Sequence, residues 1–299
     1  MDRFDAMRVF LATAEAGSLS AAARTLKRPL ATVSRQVAAL EARLKAPLLI
    51  RTSRRAELTE AGRGFAEQAR RILEELEEAE RAAAGEYSAP RGALAVSAPL
   101  ILGVKHVAPV ATQFLAAHPD IDLQLQLVDR PVNLVEEHID AAIRIGPLTD
   151  QSLIQSRLGE MRRVVVAAPG YLSRHGTPKA PRDLSRHTCI SFDGARRADR
   201  WRFEGAEAAV RFRLAVNNAQ AAVDAAVAGL GIARVLSYQA FEAVRAGKLK
   251  VVLAQYEPPA LPVSLIYPGH GALPLKLRAF LDWAGPRLRV RLAKHMLAR

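Results

Sequence analysis

The chain has 299 residues, 50% of them apolar, with 43 Lys and Arg against 30 Asp and Glu and a formal net charge of +13; this is material for about two globular domains and excludes a disordered or fibrous chain. Its single cysteine, Cys189, excludes an internal disulfide framework and a cysteine-only metal cluster. No uninterrupted apolar stretch approaches the roughly 20 residues of a bilayer span, and the charged start Met-Asp-Arg-Phe-Asp lacks a signal region, so a cytoplasmic protein without a membrane partner is expected.

Three short helices are expected before residue 45. Phe4, Met7, Phe10, Leu11 and Ala14 recur at helical spacing, and Gly17 stops the run. Ser18 can cap the next segment, in which Leu19, Ala22, Ala23 and Leu26 form an apolar stripe. Pro29 marks a break, after which Val33, Val37, Leu40 and Leu44 return every three or four residues to one face. Two short helices, a turn and small Ala residues make the layout of a helix-turn-helix, whose second helix enters the major groove with its first turns. Thr32, Ser34, Arg35 and Gln36 near the start of that helix are the candidate DNA-facing residues. A guanidinium such as that of Arg35 either reads guanine or grips the phosphate backbone. Between Ala21 and Ala56 stand nine bases (Arg24, Lys27, Arg28, Arg35, Arg43, Lys45, Arg51, Arg54 and Arg55) and one acid, Glu41. That excess attracts a polyanion, although a solvated surface on a basic protein carries the same pattern.

The run Phe10-Leu-Ala-Thr-Ala-Glu-Ala-Gly17-Ser18-Leu-Ser-Ala-Ala22-Ala-Arg-Thr-Leu26 resembles the opening signature of LysR-type transcriptional regulators. The resemblance continues through Ala31-Thr-Val33-Ser34-Arg35-Gln-Val-Ala-Ala-Leu40-Glu41 and Leu48-Leu-Ile-Arg51-Thr-Ser-Arg-Arg-Ala-Glu-Leu58-Thr59-Glu-Ala-Gly62. Two positions depart from the pattern: Pro29-Leu30-Ala31 stands where many relatives have Ser-Gln-Pro, and Lys45 replaces the usual Gly after the helix. The resemblance implies a winged helix-turn-helix over 1–58 that binds a double-stranded operator. It places Arg51, Arg54 and Arg55 in the wing, where phosphate contacts are expected.

From Thr59 to about Ala84 the chain lacks Pro and is rich in Ala, Glu, Arg and Leu. A helix of that length spans about 39 Å. Leu58, Gly62, Phe65, Ala69, Ile72, Leu76, Ala79 and Ala83 step alternately by four and three, a heptad seam with charged residues largely outside it. Such a seam either pairs two chains or packs within one. The resemblance implies pairing over 59–84, with Phe65, Ala69, Ile72, Leu76 and Ala79 as dimerisation residues, a homodimer and beyond it a homotetramer. A hinge is expected over 85–92, where Gly85, Pro90 and Gly92 punctuate the chain.

Beyond the hinge, strands are expected at 93–97, 121–127, 139–145, 163–168, 188–192, 210–216, 231–236 and 261–267, with helices at 107–117, 219–228 and 238–246. Alternation of the two predicts an α/β domain with substantially parallel sheets, which receives ligands beyond the strands' carboxyl ends. The segments around Arg91-Gly-Ala-Leu-Ala-Val-Ser97, Asp129-Arg130-Pro and Ala228-Gly-Leu-Gly-Ile-Ala-Arg234 resemble one proteobacterial branch of the LysR family. They imply an effector domain over 93–285, similar to periplasmic binding proteins. Subdomain I would take about 93–160 plus 262–285 and subdomain II about 161–261, leaving 286–299 as a basic tail. Candidate effector contacts are Ser97, Ala98 and Pro99, Asp129 and Arg130 at the rim, Arg144, Gly146 and Pro147, and Asn217 and Asn218. A Ser or Asn at a strand end equally serves as a helix cap.

Gly229-Leu-Gly231 lacks the third glycine and the preceding strand of a dinucleotide fingerprint. No nucleophile elbow, phosphate loop or paired-His metal motif appears, so neither an enzyme nor a bound metal or cofactor is expected beyond a small-molecule effector. Cys189 reads as a small buried hydrophobe, with redox sensing the lesser alternative. Two functions stand against each other: an effector-controlled DNA-binding regulator, which as an activator would also meet RNA polymerase, and a stand-alone small-molecule binding protein with a helical appendage. Preference for an operator over scrambled DNA separates them, because a charge of +13 retains any DNA.

Overall fold

The computed structural model describes residues 2–51, 55–83, 89–192, 200–269 and 273–294, and divides into two compact units, 1–89 and 90–299. In the first, α1 (Arg3–Ala16), α2 (Leu19–Thr25) and α3 (Leu30–Leu44) precede a small antiparallel wing of β1 (Leu49–Arg51) and β2 (Ala56–Leu58), and α4 (Glu60–Ala83) follows. The caps are local. Asp2 accepts the Phe4 N–H at 3.1 Å, and Ser18 accepts the Ala21 N–H at 3.1 Å, each satisfying a donor left free at a helix start. Val9, Phe10, Ala22, Val33, Val37 and Leu48 are fully buried where the three helices cross. At the end of α3 Lys45 takes the left-handed conformation, φ 54°, that a glycine adopts without a Cβ penalty. Lys45→Gly is therefore expected to stabilise this unit by about 0.5–1 kcal/mol, read as a higher urea midpoint at unchanged slope.

In the second unit β3 (Gly92–Ala98) leads into α5 (Leu100–Leu102), one π-helical turn at Gly103–Val107, and α6 (Ala108–Ala117). The stretch Leu100–Ala117 has the length and hydropathy of a bilayer span, yet Leu102, Val107, Val110 and Phe114 fill this unit's own core. Next come β4 (Ile121–Leu127), β5 (Ala141–Ile145), β6 (Leu153–Met161) and β7 (Arg163–Ala167), then α7 (Pro169–His175). After it follow β8 (Thr188–Ser191), β9 (Arg200–Phe203), β10 (Ala206–Ala209), β11 (Arg211–Ala215) and α8 (Ala219–Val227). The chain closes with β12 (Ile232–Leu236), α9 (Ser237–Arg245), β13 (Lys250–Val252), β14 (Leu261–Pro268) and α10 (Leu275–Lys294).

Two five-stranded sheets result, in the orders β4-β3-β5-β14-β6 and β11-β8-β12-β7-β13. In each, four strands run one way and a single strand, β14 or β7, runs against them, so the sheets are substantially parallel as expected, with one strand reversed in each. Subdomain I holds the first sheet and subdomain II the second. The chain crosses between them twice, near Arg162 and again near Glu257. At the start of α9 the Ser237 N–H donates to the Arg162 carbonyl at 2.8 Å, and a largely buried Arg162–Glu257 ion pair at 2.9 Å ties the second crossing to the first. A charge pair so withdrawn from water loses far more when one partner is removed than it adds when intact.

Two expectations need correction. Residues 286–294 are no tail: they continue α10, whose Leu288 and Leu292 are buried with Phe280 and Ala284 in subdomain I. The strands β6, β9, β10 and β13 and the helices α7 and α10 were not anticipated. The Gly229-Leu-Gly231 turn serves packing, since a Cβ at Gly231 would come within 2.4 Å of the Thr188 carbonyl oxygen.

Candidate functional site

At the start of α3, Arg35 is exposed, Thr32 and Ser34 are half-buried, and Val33 and Val37 hold the helix down from the opposite side. Arg35 forms no ion pair or hydrogen bond among the described residues, so its five donors face solvent. Gln36 does not belong to this surface. It is 9% exposed, and its amide donates to Asp5 at 2.6 Å, while Arg28 pairs with the same carboxylate at 2.8 Å. The reason is helical period: position 36 lies beside Val33, Val37 and Leu40 on the core side. Leu30, exposed at 49%, joins Arg35 at the first turns.

Glu41, the one acid in the basic run, has a structural task that the sequence reading missed. Its carboxylate accepts the Leu48 and Leu49 N–H groups at 2.9 and 3.0 Å, which fixes the wing to the end of α3. Its isolation among bases was the available signal. Arg51 lies at the end of β1 and Arg55 is exposed beside β2; the Arg51 side chain and all of Arg54 fall outside the described residues. Thr59 closes the joint to α4 by accepting the Gly62 N–H and donating to the Pro47 carbonyl, both at 2.8 Å.

On α4 the seam divides. Ala69 is fully buried in the core of its own head, together with Ala66 and Leu73, and Phe65 lies against Phe10 with ring centroids 5.6 Å apart. Phe65 and Ala69 are thus intrachain contacts. Ile72 is 39% exposed and Leu76 half-buried, while the Ala79 side chain lies outside the described ones.

In the second unit a cavity of about 440 Å³ lies between the subdomains. Ser97, Ala98, Pro99, Asp129, Arg130, Arg144, Gly146 and Pro147 all line it, carried there by the carboxyl ends of β3, β4 and β5. Subdomain II adds Phe192, Leu236, Tyr238 and Gln239 from the ends of β8 and β12 and the start of α9. Asn217 and Asn218 are absent from the lining. Asn218 accepts the Gln220 and Ala221 N–H groups at 2.8 and 3.3 Å, which makes it the cap of α8, and Asn217 is exposed. Ser264, Tyr238 and Gln239 are wall residues that the sequence reading did not single out. Ser264 was legible as the one small polar residue in the otherwise apolar run Leu261–Ile266.

The charges of the cavity wall are unequal. Arg130 is bound at both nitrogens to Glu137, at 2.7 and 2.6 Å, and this pairing holds the Glu137 carboxyl down at about 2. Asp129 accepts the Leu100 N–H at 3.0 Å at the start of α5. Arg144 reaches only the Arg130 and Val132 carbonyls, at 3.4 and 3.3 Å, and burial lowers its guanidinium from the usual range. Cys189 is fully buried in subdomain II, where burial pushes its thiol up to about 12, so no thiolate is presented to a solution oxidant. Among the described residues no His, Cys, Asp and Glu cluster could hold a metal.

Family models match both units: the bacterial regulatory helix-turn-helix protein of the lysR family over residues 4–63, and the LysR substrate binding domain over residues 88–289. The chain belongs to the LysR family of transcriptional regulators. It is 36% identical over 94% of its length, and 84% of the relative's, to a helix-turn-helix transcriptional regulator of Xanthomonas campestris. It is 34% identical to a transcriptional repressor of Pseudomonas aeruginosa, over 95% of this chain and 91% of that one. Among solved structures it is similar to CrgA, a LysR-type regulator from Neisseria meningitidis, with 31% identity, coverage of 95% and 98%, and a TM-score of 0.61. This LysR-family chain is therefore a DNA-binding transcriptional regulator with an effector-binding domain.

Proposed function

We propose that this regulator reads its operator through the exposed first turns of α3, with Thr32, Ser34 and Arg35 at the groove, and grips phosphates through Arg51, Arg54 and Arg55 of the wing. The observation that carries the reading is Arg35, solvent-facing and unpaired on a helix that is otherwise anchored in the head's core. Two copies joined through α4 present two heads to one operator, and pairing of dimers into a tetramer would bring four. The effector cleft binds its ligand without transforming it, and occupancy changes how the heads meet DNA. Such a protein acts on chromosomal DNA in the cytoplasm, with RNA polymerase as a further partner where it activates.

Arg35→Ala is expected to lower specific affinity for the DNA flanking the protein's own gene with no change in assembly size. A base-reading Arg35 loses about 1–3 kcal/mol of discrimination at one base pair, whereas a phosphate-gripping one weakens all sequences alike and flattens the salt dependence. Titrations against the operator, its single-base variants and scrambled DNA separate these outcomes. Unchanged affinity and selectivity would remove Arg35 from the interface.

A further inference from the structure

The cleft wall is specific enough to name the chemical class of its ligand, given the reading of this cavity as the effector site. Ser97 and Ser264 are 3% and 4% exposed, and both line the cavity. A hydroxyl in a cavity wall offers its occupant both a donor and an acceptor. Arg144 lies next to them. It stands directly opposite Ser264 in the β5–β14 ladder, where side chains come within about 5 Å. Ser97 stands opposite Ala142, two residues earlier on β5, so strand alternation brings Ser97, Arg144 and Ser264 to one face of the sheet. No carboxylate of the described chain forms an ion pair with Arg144; its contacts are two long ones to backbone carbonyls.

The usual anion position in such a cleft, the start of the helix after the first strand, is closed to an incoming anion. The chain's own Asp129 carboxylate already takes the Leu100 N–H. Asp129 also disfavours a dianion close by, and its second oxygen can accept a donor from the ligand. Leu148, Phe192 and Leu236 supply apolar wall between the charged points.

We propose that the effector is a small monocarboxylate whose carboxylate is held by Arg144, Ser264 and Ser97, with a hydroxyl or similar donor on its body directed to Asp129. A planar guanidinium flanked by hydroxyls matches the two oxygens of a carboxylate and offers nothing to an amine. A cavity of about 440 Å³ admits a compact molecule of this class.

The test uses the full-length protein, with thermal melting and calorimetry against matched sets: hexanoate, 3-phenylpropionate and 3-phenyllactate, each beside its primary amide and its amine, with inorganic phosphate as a separate probe. A carboxylate is expected to raise the melting temperature, with its amide at least tenfold weaker and 3-phenyllactate tighter than 3-phenylpropionate. Ser264→Ala is expected to weaken the best carboxylate by about tenfold, and Arg144→Lys to weaken it less than Arg144→Gln. Stabilisation by an amine, amide or phosphate in preference to the carboxylates overturns the proposal. So does the absence of any carboxylate response, or equal binding by wild type and Ser264→Ala. Retention of the operator by the wild-type protein, measured alongside, separates the two readings. A chain that binds its operator and no carboxylate refutes the ligand class alone, whereas loss of operator preference refutes the regulator reading.

Discussion

Gly62→Ala is expected to melt the DNA-binding head while the effector domain stays folded. A Cβ at position 62 would come within 2.0 Å of the Leu48 carbonyl oxygen, which is backbone and cannot swing aside. Leu48 is held on every side: its carbonyl accepts the Thr59 N–H at 3.0 Å, its N–H donates to Glu41 at 2.9 Å, and its side chain is buried. The first turn of α4 must therefore move off the wing, and it carries Phe65, Ala66 and Ala69 out of the head's core with it. Forced overpacking of this kind costs about 2–3 kcal/mol, on the order of 10–20 °C in melting temperature for a unit of this size. Both tryptophans, Trp201 and Trp283, lie in the second unit, so fluorescence follows that unit alone while calorimetry sees both. An early calorimetric transition with unshifted fluorescence is the expected result. One unshifted transition would show that the wing gives way without cost.

The same joint shows what the sequence disclosed and what it withheld. Gly62 fits the heptad seam as one more small residue, because spacing reports that a face is apolar and not what covers it. The covering was decided by the end of α3, where Glu41 turns the wing back toward α4, a contact between residues far apart in helical phase. The same limit explains Gln36. Its polarity and its place in the first turns suggested the groove, but the nearby Asp5–Arg28 pair offered it partners inside. In the second unit the strands that alternate strictly, such as Ile121–Leu127, were legible from period alone. The edge strands β6 and β13 were not: β6 mixes polar and apolar residues without alternation and is half-exposed, and β13 has three residues. Ser97 to Pro99, Asp129 and Gly146 were legible as cleft residues because strand ends in an open sheet point there. Asn217 and Asn218 obey the same rule in sequence, and there the helix that follows claims the cap.

The pairing of two chains rests on what α4 leaves uncovered. At about 100° per residue, Gly62, Ala66, Ala69 and Leu73 centre on one direction, and Ile72, Leu76 and Ala79 on another roughly 80° away. The first set meets the head; Leu73 is 7% exposed while its neighbour Ile72 is 39% exposed. Ile72→Asp with Leu76→Asp is therefore expected to dissociate the assembly by sedimentation, with both calorimetric transitions retained. Loss of the second head should cost operator binding at least tenfold, because two linked contacts act at high effective concentration. Leu73→Ala is the contrasting variant. It removes a side chain from the head's own core, costs about 2–5 kcal/mol there, and should lower the first transition without first changing the assembly size. If the double aspartate variant stays assembled and Leu73→Ala dissociates it, the pairing face is the one assigned here to the head.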